Sequence, residues 1–142
     1  MAIATATITV NSYTKGGIDN AQHLQYLRGT IAISTGGTYP PGGFPLNWGG
    51  IEGLKAIPLG SATQAVAGVQ TLPFPVDVTV HSAANPPSGY IYAWDNVLGN
   101  LHIFESSNGA SNNSGPLLEV GGAVDNHIVT DVILFEAVFV RN

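Results

Sequence analysis

The chain has 142 residues, of which 44% are hydrophobic and only 9% are charged, and its formal net charge is −5 at pH 7. Phosphate binding requires clustered Lys or Arg, so the four cations, Lys15, Arg28, Lys55 and Arg141, argue against a nucleic-acid partner. No run of about 20 apolar residues could span a bilayer, and the first residues lack the positive flank and unbroken apolar segment of a signal peptide, so no membrane partner is expected.

The low fraction of charged residues also indicates whether the chain assembles with other subunits. Soluble domains usually carry about 25% charged residues, and a small free-standing monomer depends on charge for solubility. The composition therefore favours a protein whose exterior is partly covered by neighbouring subunits, against the alternative of a monomer coated with Ser, Thr, Asn and Gly. The length suits one domain, and the absence of cysteine is consistent with folding in a reducing cytoplasm.

Two strand patterns lie in the first part of the chain. Residues 2–10 alternate small or apolar side chains with threonines, which predicts a strand or an extended arm, and residues 28–34 repeat the alternation. Between them, residues 11–20 are predicted to be a connection, and residues 21–27 are predicted to hold one helical turn. The sequence therefore predicts a short helical turn between two strands.

The segment 35–48 is predicted to be a loop with large aromatic side chains. Its four glycines and three prolines exclude regular secondary structure, whereas Tyr39, Phe44 and Trp48 supply a large apolar surface. A loop of this composition is expected to pack either on its own sheet or on a partner, and the sequence leaves both possibilities open.

Strand patterns return further along the chain. Residues 49–58 predict a short strand or a turn, and residues 59–70 predict a loop. Across residues 71–81, apolar and polar side chains alternate, which predicts a strand with one buried face. Pro73 and Pro75 cannot donate hydrogen bonds to a neighbouring strand, so this strand is expected at a sheet edge.

The clearest local signal is a hairpin over residues 89–105, with a turn rich in Asp, Asn and Gly. Pairing of Trp94 with Leu101 divides its side chains between two faces. One face would hold Tyr90, Tyr92, Trp94, Leu101, Ile103 and Glu105. The other would hold Ile91, Ala93, His102 and Phe104. Since both faces are largely apolar, we expect the hairpin to be covered on both sides, by a second sheet and by a loop or another subunit.

The chain closes with its most apolar strand pattern, over residues 128–140, after an exposed loop at 106–115 and a short strand at 116–120. Because both sides of the closing pattern are mostly apolar, it is predicted to be a central strand. Short strands, hairpin turns and very little helical periodicity indicate an all-β fold: a single-domain β-sandwich or jelly roll with long Gly/Pro-rich loops. We assign residues 1–15 to an N-terminal strand or arm and residues 16–142 to this domain.

Few residues form a pattern that is typical of catalysis or metal binding. No two of the four histidines stand at a metal-ligand spacing, and there is neither a nucleophile elbow nor a phosphate loop. Asp95 and Asp125 lie beside asparagines in turns, where a carboxylate most often binds nearby backbone. Glu105, Asp131 and Glu136 are predicted on strands, and no spacing marks a glycosidase pair. We therefore predict no catalytic residue, no metal site and no cofactor.

The aromatic residues allow one further interpretation, in which their rings form a platform on which sugar rings stack. The residues concerned are Tyr39, Phe44, Trp48, Tyr90, Tyr92 and Trp94. Alternating aromatics on a strand more often fill a core, because they fit the pleated surface well. The core and the platform differ in where the rings point, since a platform needs at least two rings that lie coplanar and open to solvent.

Three segments, 28–48, 88–95 and 99–104, carry a resemblance to a known group of proteins. They contain an Arg-Gly-Thr strand, a Tyr-Pro-Pro-Gly-Gly-Phe-Pro-Leu loop and a Ser-Gly-Tyr hairpin with an acidic turn, and a hydrophobic strand follows them. In this order they resemble small structural proteins of tailed bacteriophages, of the capsid decoration (cement) or accessory head type. The resemblance spans most of residues 28–140, and its motifs are structural. It implies a jelly-roll-like domain, often trimeric, bound on the outer face of an icosahedral shell.

The expected function is therefore that of a non-enzymatic virion structural protein that stabilises the phage head by bridging capsomers. Its partners would be the major capsid protein and further copies of itself in a homotrimer, at the outer capsid surface of a virion assembled in the host cytoplasm. The residues expected at its interfaces are Ile3, Ile8, Tyr39, Phe44 and Trp48. The alternative is a carbohydrate-binding β-sandwich, such as a receptor-binding tail or fibre domain, that uses exposed Tyr39, Trp48 or Trp94.

Overall fold

The computed structural model describes residues 2–13, 24–48, 75–84, 88–106 and 117–140. These residues form eight strands and one short helix: β1 (Ala6–Tyr13), β2 (Leu24–Ile33), β3 (Phe44–Pro45), β4 (Asp77–Ser82), β5 (Ile91–Trp94), β6 (Asn100–Ser106), β7 (Leu117–Glu119), α1 (Asn126–Val129) and β8 (Ile133–Val140). The predicted all-β fold is confirmed. Within the described ranges, no helix is long and apolar enough to cross a membrane. The predictions for residues 49–58, 59–70 and 107–115 lie outside the described residues. Residues 14–20 of the predicted connection 11–20 lie outside them as well, whereas residues 11–13 are the end of β1 and not part of a connection.

The strands form two antiparallel sheets. The first sheet has the order β1-β2-β8-β4, so β8 lies between two neighbours, as predicted for the closing strand. β4 lies at the sheet edge predicted from the prolines, although residues 71–74 at the start of that pattern are outside the described ranges. In the second sheet, β6 pairs with β5 on one side and with β3 and β7 on the other.

The two sheets share one hydrophobic core. The strict alternation of β2 and β8 places one side of each strand in this core, with Leu27 and Ile31 from β2 and with Phe135 and Phe139 from β8. The second sheet contributes residues of β5 and β6, among them Ile103. The architecture is thus two packed sheets of antiparallel strands, and its finer description as a sandwich or a jelly roll stays a prediction.

The hairpin has the predicted register, with Trp94 opposite Leu101. Its turn is held by the Asp95 carboxylate, whose Oδ1 accepts hydrogen bonds from the backbone N–H groups of Val97 at 2.7 Å and Leu98 at 3.2 Å. The predicted backbone-binding role of Asp95 is confirmed. One face of the hairpin is in the core, but on the other face Ile91 is 48% exposed, so the chain itself leaves part of that face uncovered.

Residues 24–27, predicted as part of a helical turn, are instead the beginning of β2, and this prediction is wrong. Leu24 lies opposite Val140 and Leu27 opposite Ala137 in the ladder with β8. An isolated helical turn fixes several dihedral angles for one hydrogen bond, whereas extended backbone at this place gains a full ladder and buries Leu27. Pairing with a distant strand therefore overrides the local pattern.

The closing strand begins at Ile133 and not at residue 128 as predicted. The helix α1 occupies the preceding residues because Asp125 caps it, with its carboxylate accepting a 2.7 Å hydrogen bond from the backbone N–H of His127. This bond confirms the predicted local role of Asp125. Ile128, which the strand pattern counted as a strand residue, is buried as part of the helical turn.

Gly29 lies where β1 approaches β2 too closely for any side chain. The register of this strand pair shifts between Val10 and Ser12, which brings the Thr9 carbonyl over Gly29. A Cβ atom on Gly29 would lie 1.9 Å from the Thr9 oxygen. The glycine is therefore a condition for the close packing of the two strands at this irregularity.

Gly29→Ala is expected to lower the free energy of unfolding by about 1–3 kcal/mol, because the added methyl forces the two strands apart. Urea denaturation measures this difference. The matched control is Gly121→Ala, since nothing lies within 4 Å of a Cβ at Gly121. Equal stability of the two variants would contradict the close approach.

Candidate functional site

The three aromatic residues of the Gly/Pro-rich loop lie inside the molecule. Tyr39, Phe44 and Trp48 are all buried. The Trp48 ring packs edge-on against Phe135 and Phe139 of the first sheet, at 5.4 Å between centroids in both cases. The loop therefore folds back on its own sheets, and the prediction that these three residues contact another subunit is corrected: they are part of the core of the chain itself.

Most of the rings considered for a sugar-stacking platform are buried or meet edge-on. Tyr39 and Phe44 meet at 88° between ring planes, and Trp48 and Trp94 meet at 80°. Tyr92 is buried as well, whereas Tyr90 and Trp94 are partly buried. Tyr39 and Trp48, two of the three rings that were expected to be exposed for stacking, are therefore closed to solvent.

The two isoleucines predicted at an interface occupy different environments. Ile8 of β1 is half-buried and packs against the core, whereas Ile3 is 61% exposed. The segment around Ile3 is held to its own chain, because Ala4 N–H donates to the Thr38 carbonyl and Thr38 N–H donates to the Ala2 carbonyl, both at 2.9 Å. Of the five predicted interface residues, Ile3 is the one whose side chain is largely exposed.

One polar cluster joins the two sheets through the carboxylate of Asp131, which precedes β8. Its Oδ1 accepts a hydrogen bond from Ser82 Oγ at the end of β4, at 2.6 Å. Its Oδ2 accepts from Ser88 Oγ and from the Tyr92 hydroxyl, each at 2.6 Å. Ser82 belongs to the first sheet and Tyr92 to the second, so this carboxylate links the two sheets. We call Asp131, Ser82, Ser88 and Tyr92 the Asp131 cluster.

The pKa values of Asp131 and Tyr92 in the Asp131 cluster indicate that the carboxylate stays charged. Burial raises the pKa of Asp131, but the hydrogen bonds from Ser82, Ser88, Tyr92 and the Val132 N–H outweigh it and leave the pKa below its ordinary value. For Tyr92, burial and the hydrogen bond to the carboxylate raise the pKa of the hydroxyl. The proton therefore stays on Tyr92 and the charge on Asp131, which suits a fixed structural bond.

A second polar cluster centres on Glu119 of β7. Its Oε1 accepts a 2.8 Å hydrogen bond from the Tyr39 hydroxyl and lies 2.6 Å from Nδ1 of His102. The Tyr39 hydroxyl in turn accepts from the Ile103 N–H at 3.1 Å, and His102 Nε2 lies 3.7 Å from Asp95 Oδ2. The cluster thus attaches the 35–48 loop and the edge strand β7 to β6.

Burial raises the pKa of the Tyr39 hydroxyl, and the Glu119 carboxylate raises it further, while the Ile103 N–H acts in the opposite direction. In Asp95, hydrogen bonds from the Val97 and Leu98 N–H groups lower the pKa of the carboxyl against a smaller effect of burial. Both clusters therefore contain carboxylates that accept hydrogen bonds from other strands or turns.

No group of three or more His, Cys, Asp or Glu that could hold a metal occurs in the ranges that the structure describes.

Exposed apolar side chains gather around the second sheet. Of the nine large hydrophobic residues exposed in the described part of the chain, five belong to this sheet or its hairpin turn, with exposed fractions from 48% to 67%. They are Ile91, Val97, Leu98, Leu117 and Leu118. We call this set the apolar surface; because Leu117 and Leu118 are consecutive on β7, it extends to both faces of the sheet at that strand. It is the candidate docking surface because it holds more than half of the exposed large apolar side chains of the described residues.

The strand register shows which residues of the apolar surface share the face of the hairpin that points away from the core. Ile91 lies directly opposite Phe104 of β6, and Phe104 lies opposite Glu119 of β7, so Leu117 is the diagonal neighbour of Phe104 on the same face. Phe104 also stacks on His102, with 6.2 Å between ring centroids and 19° between planes. The sequence indicated an apolar outer face for the hairpin, but it gave no signal that β7 extends that face.

No protein-family model, curated protein or solved structure matches this chain.

Proposed function

We propose that this protein is a non-enzymatic virion structural protein, a capsid decoration protein that stabilises a phage head by bridging capsomers. Its partner would be the major capsid protein, and the assembling unit a homotrimer on the outer capsid surface. The single observation that carries the proposal is the apolar surface of the second sheet. The resemblance of segments 28–48, 88–95 and 99–104 to phage head proteins indicates which kind of partner covers it.

The composition supports a role in which this surface is covered. Only 9% of the residues are charged, and the apolar surface contains five side chains that are each about half exposed or more. Burial of apolar area contributes roughly 25 cal/mol per Å², so such side chains favour association. The carboxylates of Asp131 and Glu119 accept intramolecular hydrogen bonds, and their observed contacts are explained by holding strands together.

The proposal predicts a trimer that binds shells. Light scattering is expected to give a mass three times that of the chain, and the protein is expected to co-sediment with undecorated capsids of a tailed bacteriophage until a fixed stoichiometry is reached. A monodisperse monomer that stays in the supernatant at every capsid concentration would contradict the proposal.

A matched pair of variants tests whether the apolar surface makes the contact. Ile91→Thr removes apolar area from that surface and is expected to weaken capsid binding about tenfold, which corresponds to about 1.4 kcal/mol. Val132→Thr is the control, because Val132 is equally exposed at 48% but precedes β8 of the first sheet. Threonine is β-branched like both of the residues that it replaces. Equal binding by the two variants would place the contact elsewhere.

A further inference from the structure

A cleft of about 420 Å³ lies on the first sheet and has no role in the proposed capsid contact. All four strands of that sheet contribute to it. Its lining includes Asn11, Arg28, Thr79, His81, Leu134 and Glu136. Three of these residues form one row of the ladder, in which Thr79 and Arg28 lie on either side of Glu136. The irregular pairing of β1 and β2 adds Asn11 at the rim.

The charges in the cleft cancel. Arg28 Nε lies 2.5 Å from Glu136 Oε2, so the one cation and the one carboxylate of the lining form an ion pair. A ligand with its own charge would have to compete with the internal partner of either group. This pairing favours a neutral ligand.

The remaining lining combines hydrogen-bonding groups with an apolar floor. The Asn11 amide, the Thr79 hydroxyl and the His81 ring supply donors and acceptors in strand positions that are exposed, whereas Leu134 is half-buried between them. On the same face of β2, two residues from Arg28, Tyr26 is 37% exposed. Polar groups around an apolar floor match a molecule that has hydroxyl groups at its edge and C–H groups on its face.

From this geometry we infer that the cleft binds a neutral sugar, of one or two rings. Its volume lies within the range of about 300–1,000 Å³ that is typical of small-molecule sites. The site is separate from the aromatic residues that the sequence pointed to, which are largely in the core, and from the apolar surface, which belongs to the second sheet. The inference therefore holds whether or not the protein binds a capsid.

Titration of the ¹⁵N-labelled protein with neutral sugars tests the inference by NMR. The probes are glucose, galactose, mannose, N-acetylglucosamine and maltose, with glucose 6-phosphate and N-acetylneuraminic acid as the anionic comparison. At least one neutral sugar is expected to cause saturable shifts confined to the amides around Asn11, Arg28, Thr79, His81 and Glu136. A dissociation constant of about 1 mM, or about −4 kcal/mol, is expected for so open a site.

Two threonine variants separate binding in the cleft from other effects. Thr79→Val removes a hydroxyl from the lining and is expected to weaken sugar binding about fivefold to tenfold. Thr7→Val is the control, because Thr7 is exposed on β1 outside the cleft, and it is expected to bind as the unaltered protein does. The spectra report whether each variant is folded.

Four results would overturn the inference. They are the absence of saturable shifts with every neutral sugar, shifts centred on the hairpin turn, tighter binding of the anionic probes than of any neutral sugar, and equal loss of affinity in Thr79→Val and Thr7→Val.

Discussion

Trp48→Ala is expected to lower the free energy of unfolding by about 3–5 kcal/mol, a large part of the total stability of a domain of this size. The reason is the position of the ring between the sheets: it is buried and contacts Phe135 and Phe139 of the first sheet as well as Trp94 of the second. Its removal leaves a cavity lined by residues of both sheets, which neither sheet can fill alone. Urea denaturation followed by far-ultraviolet circular dichroism measures the loss.

Trp48→Phe provides the matched control. Among the described residues, Trp48 Nε1 is buried without a hydrogen-bond partner, so phenylalanine removes an unpaired donor together with part of the ring. Removing the donor offsets some of the lost packing, and the cost is expected to be at most about 2 kcal/mol. If Trp48→Ala were within about 0.5 kcal/mol of the unaltered protein, the range of an ordinary surface substitution, the ring would not be the contact between the sheets that the structure describes.

The part of the fold that follows from local sequence could be predicted closely. The hairpin register was fixed by two apolar runs and by a turn whose Asp95 and Gly99 suit a tight reversal, because a slip of one residue would exchange the two faces. The alternation in β4 likewise identified Val78 and Val80 as core residues, whereas the closing pattern, apolar on both sides, did not show which side of β8 faces the core. These signals lie within a few residues of one another, so they can be seen in a single sequence.

Two of the errors have a common physical cause, since they depended on contacts with distant residues. Leu24 extends β2 because Val140 is available to pair with it. The 35–48 loop could pack on its own sheets or on a partner, and only the positions of Phe135, Phe139 and Trp94 decide that Trp48 is internal. Large aromatic side chains in an irregular loop indicate burial, but they do not indicate in which molecule.

The polar contacts between strands could not be predicted from the sequence, because they too join residues that are distant along the chain. Asp131 was seen only as a strand residue, although Ser82, Ser88 and Tyr92, at 39 to 49 residues' distance along the chain, all donate to it. Glu119 was not singled out at all. Serine, tyrosine and carboxylates are common on exposed strands, so no local spacing distinguishes a group of them that meets in the folded protein.

Asp131→Asn is expected to lower the free energy of unfolding by about 2–4 kcal/mol at pH 7, because hydrogen bonds to a charged group contribute about 1.5–3 kcal/mol each. Oδ2 accepts from both Ser88 and Tyr92, and an amide nitrogen in that position cannot accept from either. If the amide is reversed, the bond from Ser82 is lost instead. Asp77→Asn is the control, since Asp77 is an exposed residue of the edge strand β4.

The pH dependence separates loss of the charge from a general disturbance of the fold. The pKa of Asp131 is lower in the folded protein than its ordinary value, so its contribution to stability is fully present above the unfolded-state value of about 3.9 and is lost as the pH falls through the lower folded value. The stability difference between the unaltered protein and Asp131→Asn is therefore expected to be largest at neutral pH and to shrink below about pH 4. Denaturant titrations across this interval measure it. A difference that stays constant down to pH 3 would mean that the charged carboxylate is not what joins the two sheets.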